Sequence, residues 1–133
     1  MTPRLWRTSG LASLAGAWRM TSLEAGTPGD LRPILYSGQV VVTRSGAIAV
    51  HAANPDDAAP DSPYTRNGYE AYYGSISVEP QSRTFVVTIE SSVVGDLVGR
   101  RLSRSYQLSG DTLVITPRDP MEGFRATYRR HGT

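Results

Sequence analysis

Leu14-Ala15-Gly16-Ala17-Trp18-Arg19-Met20-Thr21-Ser22-Leu23-Glu24 reads as the first strand of a β fold, reached through a glycine. Successive side chains of a strand point to opposite faces. Trp18, Met20, Ser22 and Glu24 therefore share one face, and Ala17, Arg19, Thr21 and Leu23 the other. A large aromatic followed by a flexible apolar residue fits the closed end of a core. Ser22 and Glu24 farther along that face say that the interior turns polar toward its other end. An apolar floor beneath converging polar groups describes a small-molecule pocket.

Downstream the chain is punctuated like an all-β protein. Ala25 to Pro33, with two glycines, two prolines and Asp30, reads as a loop. Gly38 to Arg44 and Ala47 to His51, two β-rich runs around Ser45-Gly46, make a hairpin. Asn54 to Pro63 is a loop long enough to serve as a lid, and its prolines and aspartates predict a stretch, Asn54 to Arg66, more mobile than the strands. A brief helical turn is expected at Asn67–Ala71, leading into a strand from Tyr72 to Val78. Further strands are read at Thr84–Ser92, Arg100–Leu108, Thr112–Thr116 and Phe124–Arg130. The turns between them are Pro80-Gln81-Ser82, Gly95 to Gly99, Ser109-Gly110-Asp111 and Pro117 to Glu122. A short helical turn at Ser9–Leu14 should cap one end, with residues 1–10 loosely held. Eight short antiparallel strands remove their edges most simply by closing into an up-and-down barrel, whose interior holds one small ligand. A two-sheet sandwich is the alternative architecture.

The 133 residues suffice for one domain with a real core. The absence of cysteine excludes disulfides, thiolate chemistry and cysteine–zinc sites. With only His51 and His131, and no local carboxylate cluster beside them, no metal site is expected. All fourteen basic residues are arginine, yet the net charge is only +2. The dense groups Arg100, Arg101, Arg104 and Arg125, Arg129, Arg130 read as solvated faces, and no aromatic–basic platform for nucleic acid recurs along any strand. No apolar run spans a membrane, and Leu11 to Ala17 is too short and glycine-broken for a signal peptide, which makes the cytoplasm the expected location. The expected assembly is a monomer or homodimer.

Several stretches together resemble a known family. Leu14 to Ser22 looks like the Gly-x-Trp first strand of lipocalins and other calycin barrels. Gly38–Val50, Tyr72–Val78, Glu90–Gly99, Tyr106–Leu113 and the closing Tyr128-Arg129-Arg130 resemble the bacterial lipocalin-like domain family, over residues 11–130. Relatives carry a histidine where this chain has Val87-Thr88, so no role for that imidazole transfers. The resemblance implies a single ligand-binding, lipocalin-like barrel domain over residues 1–133, and a precedent for cofactor-free enzymes of secondary metabolism built on such barrels.

Alternation then sorts the candidate site. Phe85, Val87 and Ile89 share a face, with Glu90 turned outward. Leu102, Arg104, Tyr106 and Leu108 share another, and Phe124, Ala126, Tyr128 and Arg130 a third. Arg104 on an apolar face needs a carboxylate, a ligand or a route to solvent, and Glu24 is a candidate partner. Arg130 is expected to stack on Trp18 and close the barrel. Tyr69, Tyr72, Tyr106 and Tyr128 are either hydrogen-bond donors to a ligand or core fillers with a polar tip. His51 falls on the surface parity; turned inward it would be the natural general base. The expected ligand-binding set is Trp18, Met20, Tyr69, Tyr72, Phe85, Val87, Ile89, Leu102, Phe124 and Tyr128, with Arg104, Glu24 and Tyr106 as the catalytic candidates. The function expected is that of a cofactor-free cyclase or isomerase acting on an apolar, polyketide- or terpenoid-type metabolite. A non-catalytic carrier of a hydrophobic small molecule is the alternative; partners of other kinds, nucleic acid and membrane among them, are not expected.

Overall fold

Gly16 opens the first strand with φ at +126°, and a side chain there would press on the Arg130 guanidinium, 3.1 Å from where its Cβ would lie. Leaving that space free lets Arg130 lie over Trp18, its Cζ 4.2 Å from the ring centroid. The same guanidinium donates to the carbonyls of Ala15 (3.0 Å) and Ser13 (3.3 Å), and its Nε lies 3.5 Å from Asp111. Trp18, fully buried, donates its indole N–H to the Leu14 carbonyl at 2.9 Å. The helical turn at residues 10–14 is thereby tied across the end of the molecule.

The computed structural model describes residues 10–56 and 58–131. The loosely held stretch expected over residues 1–10 lies, except for Gly10, outside the described residues. Among the described residues nine strands are formed: β1 (Gly16–Thr27), β2 (Asp30–Ile34), β3 (Ser37–Val42), β4 (Ala47–Ala53), β5 (Tyr69–Glu79), β6 (Thr84–Ser92), β7 (Arg101–Ser109), β8 (Thr112–Pro117) and β9 (Phe124–Arg130). All pairings are antiparallel, in the order β2-β1-β3-β4-β5-β6-β7-β8-β9, and β1 also pairs with β9. Eight strands thus close an up-and-down barrel, and β2 is the extra one. Single 3₁₀ turns stand at Gly95–Leu97 and Pro120–Glu122. Among the described residues no helix is long and apolar enough to cross a membrane.

Three local features depart from the sequence expectation, each for an identifiable reason. Asp30–Ile34 is a strand, folded back on Leu23–Thr27 through a Pro28-Gly29 turn. Pro33 argued against a strand, but β2 has only one strand neighbour, and a sheet edge tolerates proline. Asn67-Gly68 is a tight turn rather than the start of a helix. Both residues have positive φ (54° and 81°), and Arg66 and Tyr69 exchange backbone hydrogen bonds across them. Asn-Gly is the strongest two-residue hairpin signal, and β5 accordingly begins at Tyr69. The third feature is a β-bulge in β1: Met20 faces Tyr128 and Ser22 faces Thr127, leaving Thr21 as the extra residue. A bulge shifts every later side chain to the other face. Trp18 and Met20 point inward as expected, but beyond the bulge Leu23 and Ala25 do so, and Glu24 points out. There it pairs with Arg125 at 2.7 Å.

A second bulge, opposite Gly74, absorbs Glu90 on the outer side of β6. Gly74 is required there, because a Cβ would fall 1.9 Å from the Thr88 carbonyl. His51 lies outside as well, bonded to Gln39 at 2.9 Å. Inside, Val40, Val42, Ile48, Ile76, Val78, Phe85, Leu113 and Ile115 fill the barrel toward the Trp18 end.

Trp18→Ala should therefore cost about 3–5 kcal/mol, as expected for a large aromatic cut from a packed core. Glu24→Gln, which loses only a solvent-screened pair, should cost less than about 1 kcal/mol. Urea denaturation of the two variants checks both figures.

Candidate functional site

At the end opposite Trp18 the strands splay around a cavity of about 550 Å³. Met20, Leu23 and Ala25 of β1, Phe85 and Val87 of β6, and Phe124 and Ala126 of β9 supply apolar wall. The roof is the segment between β4 and β5, where Asn54, Ala59, Pro60, Ser62, Pro63, Tyr64, Thr65 and Gly68 border the space. The expected lid is thus in place over the mouth. Asp61 organises it, accepting from the amides of Asn67 and Gly68 (both 3.0 Å) and from the Thr65 hydroxyl (3.2 Å). The amides of Gly68 and Asn67 hold the Asp61 carboxyl below its ordinary range.

Arg104 is the buried cation, only 6% exposed. Its Nη1 donates to the Ser103 carbonyl (3.2 Å) and to both carboxylate oxygens of Glu122 (3.2 and 3.3 Å). Its partner is therefore Glu122, on the 3₁₀ turn before β9, and not Glu24, which the Thr21 bulge has turned outward. The lid residue Tyr64 donates its hydroxyl to the same Glu122 carboxylate. The Arg104 guanidinium also lies 5.0 Å from the Phe124 ring centroid and 5.7 Å from that of Tyr64. Burial, and then the bond to Glu122, push the Tyr64 hydroxyl up from its ordinary value.

No protein-family model matches the chain, and a search of curated proteins finds no significant match. The site is thus read from its own geometry.

Glu70 is the residue that reading the sequence missed. It shares the inward parity of Tyr72, Gly74, Ile76 and Val78, and only the helical reading of Asn67–Ala71 hid it. Extending the β5 alternation back by two residues would have found it. Glu70 borders the cavity and makes no hydrogen bond or ion pair among the described residues. Burial pushes its carboxyl up to about 7, against an opposing pull from the Arg104 charge. Tyr36, Tyr72 and Tyr128 also border the cavity, and their hydroxyls likewise lack partners among the described residues. Burial raises all three, Tyr36 to about 12, and each is raised further by the charge of Glu70. The Arg104 charge opposes the rise of Tyr72 and Tyr128.

The expected binding residues divide accordingly. Met20, Tyr72, Phe85, Val87, Phe124, Tyr128 and Arg104 border the cavity. Trp18, Ile89 and Leu102 do not: the first two are deep core, Trp18 lying under Arg130 at the closed end. Tyr106 is buried against Phe85 with ring centroids 6.0 Å apart, as a core filler away from the cavity. Tyr69 begins β5 on the outward parity and is 60% exposed. Among the described residues no cluster of three or more histidine or carboxylate side chains could hold a metal ion.

Two tests follow from the charges. Between the ordinary carboxylate range and about 7, native Glu70 keeps a proton that the unfolded chain has released. The stability contributed by the neutral carboxyl is complete below that range and is lost as pH rises through about 7. Glu70→Gln escapes the loss, so its stability relative to the natural chain should rise by on the order of 3 kcal/mol between about pH 4 and about pH 8. Urea titrations at the two pH values measure this. Arg104→Met strands the Glu122 carboxylate and should cost about 3 kcal/mol, most of it regained when Glu122→Gln is added. A double-mutant cycle reads the coupling.

Proposed function

We propose that this barrel takes up a small, largely apolar metabolite under the 54–68 lid and acts on it as a cofactor-free isomerase or cyclase. The observation that carries this reading is the cavity itself: apolar walls around about 550 Å³, with a carboxyl and three tyrosine hydroxyls bordering it without partners. These four polar groups open onto the cavity instead of onto a protein partner, and so mark where a ligand's own polar atoms belong. The apolar walls would bury the ligand's hydrocarbon at about 25 cal/mol per Å² removed from water. Arg104 is held rigidly by Glu122, so its cation costs no reorganisation when charge develops on a bound oxygen. The sequence resemblance to bacterial lipocalin-like domains supports the same reading, and with it a polyketide- or terpenoid-type substrate.

A carrier that only shields a hydrocarbon would use the same walls, but it gains nothing from a partnerless carboxyl that must be kept neutral. That group favours the enzyme.

Uptake is tested with N-phenyl-naphthylamine, an uncharged dye that fluoresces in apolar surroundings. One dye molecule should bind per barrel, with displacement by any metabolite found in native mass spectra of the freshly purified protein. Ala126→Trp, which fills the cavity from β9, should weaken dye binding at least about tenfold while circular dichroism shows an intact barrel. Equal dye binding by the folded variant would refute the internal site.

A further inference from the structure

We propose that Glu70 is the proton-transfer residue of this cavity, and that its substrate is an apolar carbonyl compound with an acidic C–H next to the carbonyl. The inference rests on the enzymatic reading above and names its chemistry.

The cavity holds two carboxylates, and their environments separate their roles. Glu122 is engaged by Arg104 and by Tyr64, so its lone pairs are committed to holding the lid and the cation. Glu70 has no such partner, and its oxygens open onto the cavity. Beside it, Tyr72 and Tyr128 keep their protons at any physiological pH, because burial raises them well above the ordinary phenol value. Each therefore has a proton to donate. Arg104 donates to protein partners through Nη1 alone and borders the same cavity. A base and neutral or cationic donors around one cavity are what enolisation requires.

The step balances without any co-reactant. The Glu70 carboxylate accepts the proton from the carbon beside the carbonyl. The C–H electron pair becomes the carbon–carbon double bond of an enolate, and the carbonyl π pair moves onto oxygen. Hydrogen bonds from Tyr72, Tyr128 or Arg104 hold that oxyanion. In a substrate with a further carbon–carbon double bond conjugated to that enolate, Glu70 then returns the proton to the far carbon, giving an isomer at the same oxidation level. A carboxyl that titrates near neutrality is matched to both halves of this cycle.

Burial raises Glu70 and the Arg104 charge on β7 opposes it; the other titratable groups bordering the cavity are Glu122 on its 3₁₀ turn, Tyr36 before β3, Tyr64 on the lid, Tyr72 on β5 and Tyr128 on β9. Asp61 on the lid is exposed and bound to its own loop amides.

The test uses β-tetralone, a bicyclic ketone with acidic C–H groups, and proton NMR of its exchange in deuterated buffer. The natural chain should accelerate exchange over buffer, with a rate that rises with pH through about 7. Glu70→Gln should lose at least about 100-fold of that acceleration, with unchanged affinity for β-tetralone by displacement of N-phenyl-naphthylamine. Glu70→Asp should recover part of it. If β-tetralone displaces the dye but exchanges no faster than in buffer, or as fast with Glu70→Gln, the assignment of Glu70 is overturned and the cavity reading stands. If the dye binds and β-tetralone does not displace it, the carbonyl substrate class is wrong. Failure of the dye to bind at all would instead overturn the cavity reading.

Discussion

The stacking of Arg130 on Trp18 is the contact on which the rest of the barrel depends. It joins the last strand to the first, and its hydrogen bonds to Ser13 and Ala15 fasten the helical turn across one end. A cation over an indole face contributes about 0.5–2 kcal/mol, modest beside the burial of Trp18, but its directionality fixes which residues of β1 and β9 face each other. With that register set, the apolar side chains of β3 to β8 converge toward the plugged end. The eight strands enclose more volume than these side chains fill. What remains is the cavity beneath the lid.

Chemistry in that cavity follows from low dielectric. A guanidinium removed from water must be paired, and Glu122 with the Ser103 carbonyl meets that need. Glu70 receives no hydrogen bond or ion pair among the described residues, and burial outweighs the pull of the Arg104 charge, so it retains its proton up to about 7. The two carboxyls share one cavity and differ in what they touch: Glu122 is engaged by Arg104 and Tyr64, and Glu70 by neither. Polar groups left without partners reduce stability, and their concentration in one place is the usual mark of a site kept for something other than folding.

Much of the architecture was legible in the sequence because period-two alternation, turn residues and the Gly-x-Trp opening are local signals. Strand alternation places Phe85, Val87, Arg104, Phe124 and Tyr128 on inward faces, and the expected stack of Arg130 on Trp18 is formed. It failed where the period is interrupted. No single-residue signal announces the Thr21 bulge, which depends on register against β9, and past it Glu24 exchanges faces with Leu23. The ion pair of Arg104 with Glu122 was hidden for another reason: Glu122 lies on a turn, where alternation says nothing about direction. Glu70 was lost to a misread Asn67-Gly68 turn, an error that better turn chemistry would have prevented.

The extra strand β2 has a consequence for behaviour in crowded solution. It pairs with β1 on one side and with no strand on the other, so the closed barrel still carries a free sheet margin. Free margins are templates for intermolecular strand addition and thus for fibrils. This one is only five residues long, contains Pro33 with no N–H to offer, and bears the exposed charges of Asp30 and Arg32. A neighbouring chain would find few donors in register and two ions to desolvate. The extra strand is in this way poorly suited to self-association.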